Sequence, residues 1–290
     1  MSEIMTSKKL LKKQPFKEQS AIICGASEGI GLATAKEIVK LGGNVCIIAR
    51  REEKLAEAKL TLTSLKVDDS QHIESISCDT TDMNTLKPLI EKYIDEHGVP
   101  EYLINVVGMA LPDYVENYAL EDFKNHMDVN YYGQLVPTLI LLPHFMERRS
   151  GHIAFVASVA AYIGLIGYTA YTPTKAAIVG LAETLKNELS PYKIDISVIF
   201  PPDTETSTFE RENKLKPDEC KIISERGGLM QPEEIAEPFI EGILDKDFYI
   251  TPGEAGWMFW VKRHFPKLVF WILDRDLKKA RKKLGKDSNY

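Results

Sequence analysis

Tyr171 and Lys175 stand four residues apart in the stretch "YTPTK", a spacing that has chemical meaning if both fall on one helical face. Residues at i and i+4 are neighbours on a helix. A lysine ammonium in that position can favour tyrosinate and draw the phenol down from its ordinary pKa of about 10. A phenol tuned towards neutrality is a suitable general acid or base. The spacing carries little weight alone, because twelve tyrosines produce about one Tyr-x-x-x-Lys by chance. Its surroundings carry more. Ser158 lies thirteen residues upstream, at the end of the apolar run "HIAFVA". A strand, a loop and a helix start can bring both hydroxyls to one substrate carbonyl. Pro173, between Tyr171 and Lys175, fits the first turn of a helix, where an N–H has no partner to lose.

The elements that would hold these groups can be read from the apolar pattern. "SAIIC", "NVCIIA", "HIESISC", "YLINVV", "HIAFVA" and "DISVIF" are six short, β-branched runs separated by segments of helical period. That alternation predicts βαβ units and a parallel sheet. Right-handed crossovers then generate an α/β, Rossmann-type doubly wound sheet with helices on both faces. A weak seventh run, "FYIT", covers Phe248 to Thr251. In such sheets ligands bind beyond the carboxyl ends of the strands, so the residues after each run are the candidates for function.

After the first run comes "CGASEGIGLATAKEIVKLG". Glycines between a strand and a helix permit a tight turn and bring main-chain N–H groups close to a pyrophosphate. Gly25, Ser27, Glu28, Gly29, Ile30 and Gly31 are therefore candidate dinucleotide contacts. The second run ends "IIARREEKL", offering Arg50 and Arg51 where a ribose-only cofactor usually meets an acid. A guanidinium fork suits a 2′-phosphate, so NADPH is expected over NADH, with Arg50 as the leading phosphate partner. Glu28, a charge of the wrong sign, argues mildly the other way. Asp79, in "CDTTD", could accept from an adenine amino group, while Asp82 is the better helix cap. "NVVG", Asn105 to Gly108, suits close approach of backbone to cofactor.

Together the glycine loop, Asp79, "NVVG", Asn130 in "DVNYYG", Ser158 and "YTPTK" resemble the short-chain dehydrogenase/reductase superfamily, over roughly Ser20 to Thr251. The resemblance implies a catalytic set of Ser158, Tyr171, Lys175 and Asn130. Ser158 would bond the carbonyl oxygen and Tyr171 would give its proton as hydride arrives from the nicotinamide. Lys175 would lower the tyrosine pKa and hold a ribose hydroxyl, and Asn130 would support a proton-relay water. Pro201 and Thr204, after the sixth run, would lie near the nicotinamide. Two departures, "NVVG" for the family's Asn-Asn-Ala-Gly and Cys24 for its threonine, bear on cofactor fit and remove no catalytic group.

The segment "FPPDTETSTFERENKLKPDECKIIS" further resembles the 3-ketodihydrosphingosine reductases. That resemblance implies a long-chain ketone substrate reduced with NADPH in sphingolipid synthesis, although "STF" departs from that group's Thr-Pro-Gly-Phe. Another lipid-like ketone, such as a 3-oxoacyl thioester or a steroid, is the alternative substrate. A nucleotide sensor of the same fold is the alternative class, against which the intact catalytic set argues.

Composition bounds the rest. A chain of 290 residues, 44% hydrophobic, accommodates one large domain, expected over 19–256 between a basic arm at 1–18 and a tail at 257–290. Four cysteines without C-x-x-C spacing read as reduced thiols, with no disulfide framework and no metal site. No secretory signal is evident at the N-terminus. The overall charge of −6 conceals a tail with ten Lys and Arg against three Asp, locally +7. All three tryptophans, Trp257, Trp260 and Trp271, lie there too. Its apolar runs, Trp257 to Val261 and Leu268 to Leu273, are too short to span a bilayer. Tryptophans followed by lysines suit a segment lying at a membrane surface. The same aromatics could instead cover the substrate mouth, pack on the body or form a homo-oligomer interface. Nucleic acid is not an expected partner. Some family members carry an N-terminal hydrophobic anchor; with none in these residues, attachment would rest on the tail. The expected location is cytosol-facing and peripheral on a membrane, the endoplasmic reticulum in a eukaryote.

Overall fold

Each of the six apolar runs forms a strand in the computed structural model, which describes residues 14–224 and 228–286. They are β1 (Ser20–Cys24), β2 (Asn44–Ala49), β3 (Ile73–Ser77), β4 (Tyr102–Asn105), β5 (Gly151–Val156) and β6 (Ile194–Ile199). The weak seventh run is the two-residue β7 (Tyr249–Ile250). All neighbours are parallel, in the order β3-β2-β1-β4-β5-β6-β7. The direction of winding reverses between β1 and β4, which opens a crevice at their carboxyl ends.

Strand periodicity divides the core between the two faces. From β1, Ala21 and Ile23 join Ile38 and Val39 of α1 (Gly29–Lys40), Leu55 and Leu62 of α2 (Glu52–Ser64), and Phe239 and Ile243 of α9 (Pro232–Asp245). On the opposite face, Ile22 and Cys24 join Leu86 and Ile90 of α3 (Met83–His97), Ile140 and Phe145 of α5 (Gly133–Arg148), and Ile178 and Ala182 of α6 (Thr172–Leu189). Removing a side chain as large as the fully buried Phe145 costs about 3–5 kcal/mol. The four cysteines are free and buried. Among the described residues no His, Cys, Asp and Glu group could hold a metal ion.

Local signals set the helix starts. Asp82 caps α3 by accepting from the N–H groups of Asn84 at 3.0 Å and Thr85 at 3.2 Å. Pro173 occupies the first turn of α6. Between α4 (Leu120–Met127) and α5, residues Asp128–Tyr132 form one π turn, an irregularity that often accompanies functional positions.

Of the basic arm expected at 1–18, residues 1–13 lie outside the described residues. Phe16 is buried against Tyr102, with ring centroids 5.1 Å apart. The chain beyond β6 forms α7 (Ser207–Leu215) and α8 (Asp218–Ser224), and after β7 it forms α10 (Ala255–His264) and α11 (Pro266–Lys283). The two apolar runs of the tail thus become two helices meeting at Phe265 and Pro266. Phe259 anchors α10 among Tyr162, Phe200 and Tyr249, at centroid distances of 5.2, 5.8 and 5.4 Å. Glu219 of α8, almost fully buried, holds the end of α11 through Lys286 at 3.0 Å and Arg281 at 3.6 Å. No helix among the described residues is long and apolar enough to cross a membrane.

Candidate active site

The crevice between β1 and β4 continues into a cleft of about 1040 Å3 lined from both halves of the chain. On the nucleotide side it is lined by Gly25, Ser27, Glu28, Gly29, Ile30, Gly31, Arg50, Arg51, Asp79 and Gly108, and on the catalytic side by Ser158, Tyr171, Lys175, Pro201 and Thr204. Two candidates stay off its wall. Asn105 is fully buried within β4 and donates to Thr138 Oγ1 at 3.1 Å, so its side chain ties the strand to α5. Asn130 is also buried. Its Oδ1 accepts from the Met109 N–H at 2.7 Å, and its Nδ2 donates to the Met109 carbonyl at 3.0 Å and to Thr174 Oγ1 at 2.9 Å. It fastens the loop after β4 to α6.

Ser158 follows β5 after Ala157. Its Oγ accepts from the Ala160 N–H at 3.1 Å and donates to the Pro201 carbonyl at 3.5 Å. Tyr171 opens α6, its carbonyl accepting from the N–H groups of Thr174 and Lys175 at 3.0 and 3.3 Å. Lys175, 3% exposed, donates from Nζ to the Val156 carbonyl at 3.0 Å. A Cβ on Gly108 would fall 3.0 Å from that Nζ and 3.5 Å from Asn130 Oδ1. A glycine there lets the β4 loop reach the lysine.

The electrostatics depart from the expectation of a lowered phenol. Burial in this closed end raises Tyr171 above its ordinary value, and the carboxylate of Glu212 raises it further, against the lowering effect of the Ser158 hydroxyl. Burial also pushes Lys175 down to about 7. Desolvation disfavours whichever form is charged, and it is the largest influence on both side chains.

The glycine loop fits a dinucleotide. Gly25 has φ +85°, and a Cβ on it would lie 2.9 Å from Val107 N; one on Gly31 would lie 2.2 Å from the Gly25 carbonyl oxygen. Both glycines are therefore required for the turn that delivers α1. No side chain caps the first turn of α1, which leaves its N–H groups for an anion at the positive helix end. Arg51 pairs with Glu28 at 2.5 Å, and Arg211 of α7 approaches the same carboxylate at 3.8 Å. Although burial opposes it, the neighbouring Ser207 hydroxyl and the Arg51 guanidinium hold Glu28 below the usual carboxylate range. The negative charge that seemed adverse to a phosphate is thus already matched by two arginines. Arg50 stands 3.6 Å from Asp79 Oδ2, while Asp79 Oδ1 accepts from Thr81 N and Oγ1 at 3.0 and 2.9 Å.

Residues 19–216 match the family model described as short chain dehydrogenase. The chain belongs to the short chain dehydrogenase family. Within that family it is similar to the 3-dehydrosphinganine reductase of Danio rerio, 38% identical over 252 residues that cover 86% of this chain and 76% of the relative. It is also similar to the 3-ketodihydrosphingosine reductase of Bos taurus, 35% identical over 82% of this chain and 72% of the relative. Among solved structures, a 3-oxoacyl-[acyl-carrier protein] reductase of Brucella melitensis superposes with a TM-score of 0.73 at 24% identity, covering 87% of this chain and 95% of that one. A second such reductase from that organism, with bound NAD, superposes at 0.71 and 25% identity over the same shares. The family assignment and the glycine cradle together make the cofactor a nicotinamide dinucleotide, and this short chain dehydrogenase an oxidoreductase.

Lining groups such as Tyr168 and Glu212 have no counterpart among the residues singled out from sequence, whereas those of the tail fall in or beside its two apolar runs. Tyr168 and Glu212 lie beside Tyr171, and Trp257, Met258, Val261, Val269, Ile272, Leu273 and Asp276 of the tail helices line the same cleft. The tail therefore contributes to the wall of the cleft.

Proposed function

We propose that this enzyme reduces the keto group of a long-chain amino ketone, 3-ketodihydrosphingosine, to a secondary alcohol with NADPH, working at a membrane surface. The observation that carries the reading is the mixed polar and apolar cleft. Ser158, Tyr171 and the buried Lys175 line it together with a mostly apolar wall from α10 and α11, in which Asp276 is the one acid. The names borne by the similar vertebrate reductases support the same substrate class.

When bound, a nicotinamide dinucleotide supplies the hydride. The protein orients the ketone and manages the proton. Ser158 Oγ donates to the carbonyl oxygen, holding it beside the Tyr171 hydroxyl. As the oxygen gains negative charge, Tyr171 gives up its proton, leaving a tyrosinate that Ser158 and the nearby lysine stabilise. A phenol held above its ordinary value keeps its proton through neutral pH, the state that ketone reduction requires. Lys175 would donate to a ribose hydroxyl in addition to Val156. Asn130 acts here through position, fixing the Met109 loop and Thr174 against each other. Arg50 and Arg51 would form the fork for a 2′-phosphate.

Membrane contact is supported by the outer faces of the tail helices. Trp260, Phe265, Leu268, Phe270 and Trp271 are exposed, interspersed with Lys262, Arg263 and Lys267. Aromatic side chains flanked by cations favour the headgroup region. The experiment is a turnover panel in lipid micelles: 3-ketodihydrosphingosine, a 3-oxoacyl thioester and a 3-ketosteroid, each with NADPH and NADH. Turnover of the amino ketone with NADPH is expected to dominate; preference for the thioester or steroid would replace this reading.

A further inference from the structure

A charge imbalance lies behind the catalytic tyrosine. Lys216 has a fully buried side chain, with Nζ 3.0 Å from Asp203 and 3.6 Å from Glu212. It also lies 4.4 Å from the centroid of the Phe209 ring. Asp203, Glu212 and Tyr168 line the cleft, whereas Lys216 stands behind them. Two carboxylates therefore share one ammonium, and both carboxylates line the cleft. Tyr168 donates to Glu212 and thereby fixes that carboxylate. The Tyr168 ring lies 5.7 Å from that of Tyr171, so the surplus charge is one residue removed from the proton donor.

A neutral ketone gives this arrangement no use. An incompletely matched carboxylate withdrawn from water is unfavourable, and a negative charge near Tyr171 opposes formation of tyrosinate. Burial raises Glu212 above its usual range even with Tyr168 and Lys216 bonded to it. A cation entering the cleft would restore the carboxylate and relieve the opposition at Tyr171. A second observation restricts the ligand further. The wall supplied by the tail helices is mostly apolar, Val261, Val269, Ile272 and Leu273 against the single acid Asp276 of α11, so the cation belongs to an amphiphile.

We propose that Glu212, supported by Asp203 and Lys216, is the specificity-determining residue that pairs with an ammonium group carried next to the reacting carbonyl of the substrate. The proposal rests on the amino-ketone reading above and assigns its amine a partner. The ammonium meets Glu212 while the carbonyl meets Ser158 and Tyr171, which sets which carbonyl of an amphiphile is presented for reduction.

The test compares 3-ketodihydrosphingosine with its des-amino analogue, a 1-hydroxy-3-ketone of equal chain length, under identical micelle conditions. Wild-type enzyme is expected to prefer the amino ketone by about 10- to 100-fold in kcat/KM, the range of a charge-assisted hydrogen bond. In Glu212→Gln that ratio is expected to collapse towards unity, with most of the change in KM for the amino ketone. Asp203→Asn should reduce the ratio less, because Lys216 then pairs fully with Glu212. An equal loss on both substrates in Glu212→Gln would reduce the residue to a structural part and overturn the assignment. If Glu212→Gln does not fold, Asp203→Asn carries the test: a ratio unchanged from wild type in that variant would overturn the assignment. Turnover of both ketones without preference overturns this assignment alone; turnover of neither overturns the proposed function and this assignment with it.

Discussion

Lys175 Nζ donates to the carbonyl oxygen of Val156 over 3.0 Å, so the last residue of β5 receives the lysine that α6 carries. The bond satisfies one of the three ammonium donors. Burial holds the group down at about 7, so in the free enzyme at pH 8 most of it is neutral. A ribose hydroxyl accepting from Nζ favours the ammonium and raises its pKa. Cofactor binding at pH 8 is therefore expected to take up close to one proton, and much less at pH 6, where Lys175 is already charged. Calorimetry in buffers of different ionisation enthalpy measures this uptake, which Lys175→Met should abolish. Uptake that persists in the variant would assign the proton elsewhere. The same depression fixes the sign for stability. The unfolded lysine binds its proton up to about 10.4, so between roughly pH 7 and 10 the unfolded state holds more protons. This group's contribution to stability therefore rises with pH in that window.

Tyr171 and Ser158 separate chemistry from binding. Tyr171→Phe removes the proton donor and leaves the ring that packs beside Tyr168. General acid catalysis contributes about 10²- to 10⁴-fold, so kcat for ketone reduction should fall by that factor while cofactor affinity stays within about threefold. Stopped-flow measurement of NADPH oxidation, with binding followed separately, distinguishes the two. A near wild-type rate would exclude Tyr171 as the donor.

How far the sequence spoke for this site depends on distance along the chain. The glycine loop and the pair of Tyr171 and Lys175 are local patterns, so residue type and spacing expose them directly. The six strands are marked by β-branched runs, and their observed ends differ from the runs by no more than two residues. Tyr168 and Glu212 are 44 residues apart and meet only because α7 folds back over the start of α6; no periodicity records such a contact. Asn105 reads as a loop residue in "NVVG", yet the last pairing of β4 with β1 and β5 turns it into the interior. The raised phenol of Tyr171 escaped for a related reason. Spacing reports the neighbouring charge, whereas desolvation depends on all the chain that closes around it.

Arg50 and Arg51 carry the cofactor choice. The Arg50–Asp79 pair is exposed and pairs of this kind are worth little, so Arg50 is readily exchanged to a 2′-phosphate; Arg51 stays beside Glu28, with Arg211 at 3.8 Å from the same carboxylate. Each charge-assisted bond to a phosphate contributes about 1.5–3 kcal/mol. The double variant Arg50→Ala, Arg51→Ala is expected to lower kcat/KM for NADPH by about 10- to 100-fold or more and leave that for NADH within a few-fold. Initial rates with both cofactors decide it. Equal loss with NADH would show that the arginines support the loop rather than the phosphate, and a wild-type preference for NADH would remove the NADPH reading itself.

The tail helices present two faces with different tasks, and this makes the membrane proposal separable from the catalytic one. Val261 and Val269 turn inward to the cleft and are almost fully buried, whereas Trp260, Phe265 and Trp271 point outward. Trp260 stacks on His264 at 4.7 Å and Arg275 lies 5.2 Å from the centroid of the Trp271 ring, contacts at the surface that bury little. Burying an aromatic side chain in lipid contributes about 1.5–3 kcal/mol. Trp260→Ala, Phe265→Ala and Trp271→Ala together should weaken binding to anionic vesicles by at least about 100-fold. The cations nearby contribute about 1 kcal/mol each at a negatively charged surface, so wild-type binding should also weaken with added salt. Activity on a micelle-dispersed ketone should fall much less than vesicle binding, because the inner wall is intact. Vesicle flotation at two salt concentrations, with thermal unfolding as a control for folding, reads both effects. Unchanged flotation of the triple variant would assign the outer aromatics to another surface and remove membrane contact from the function.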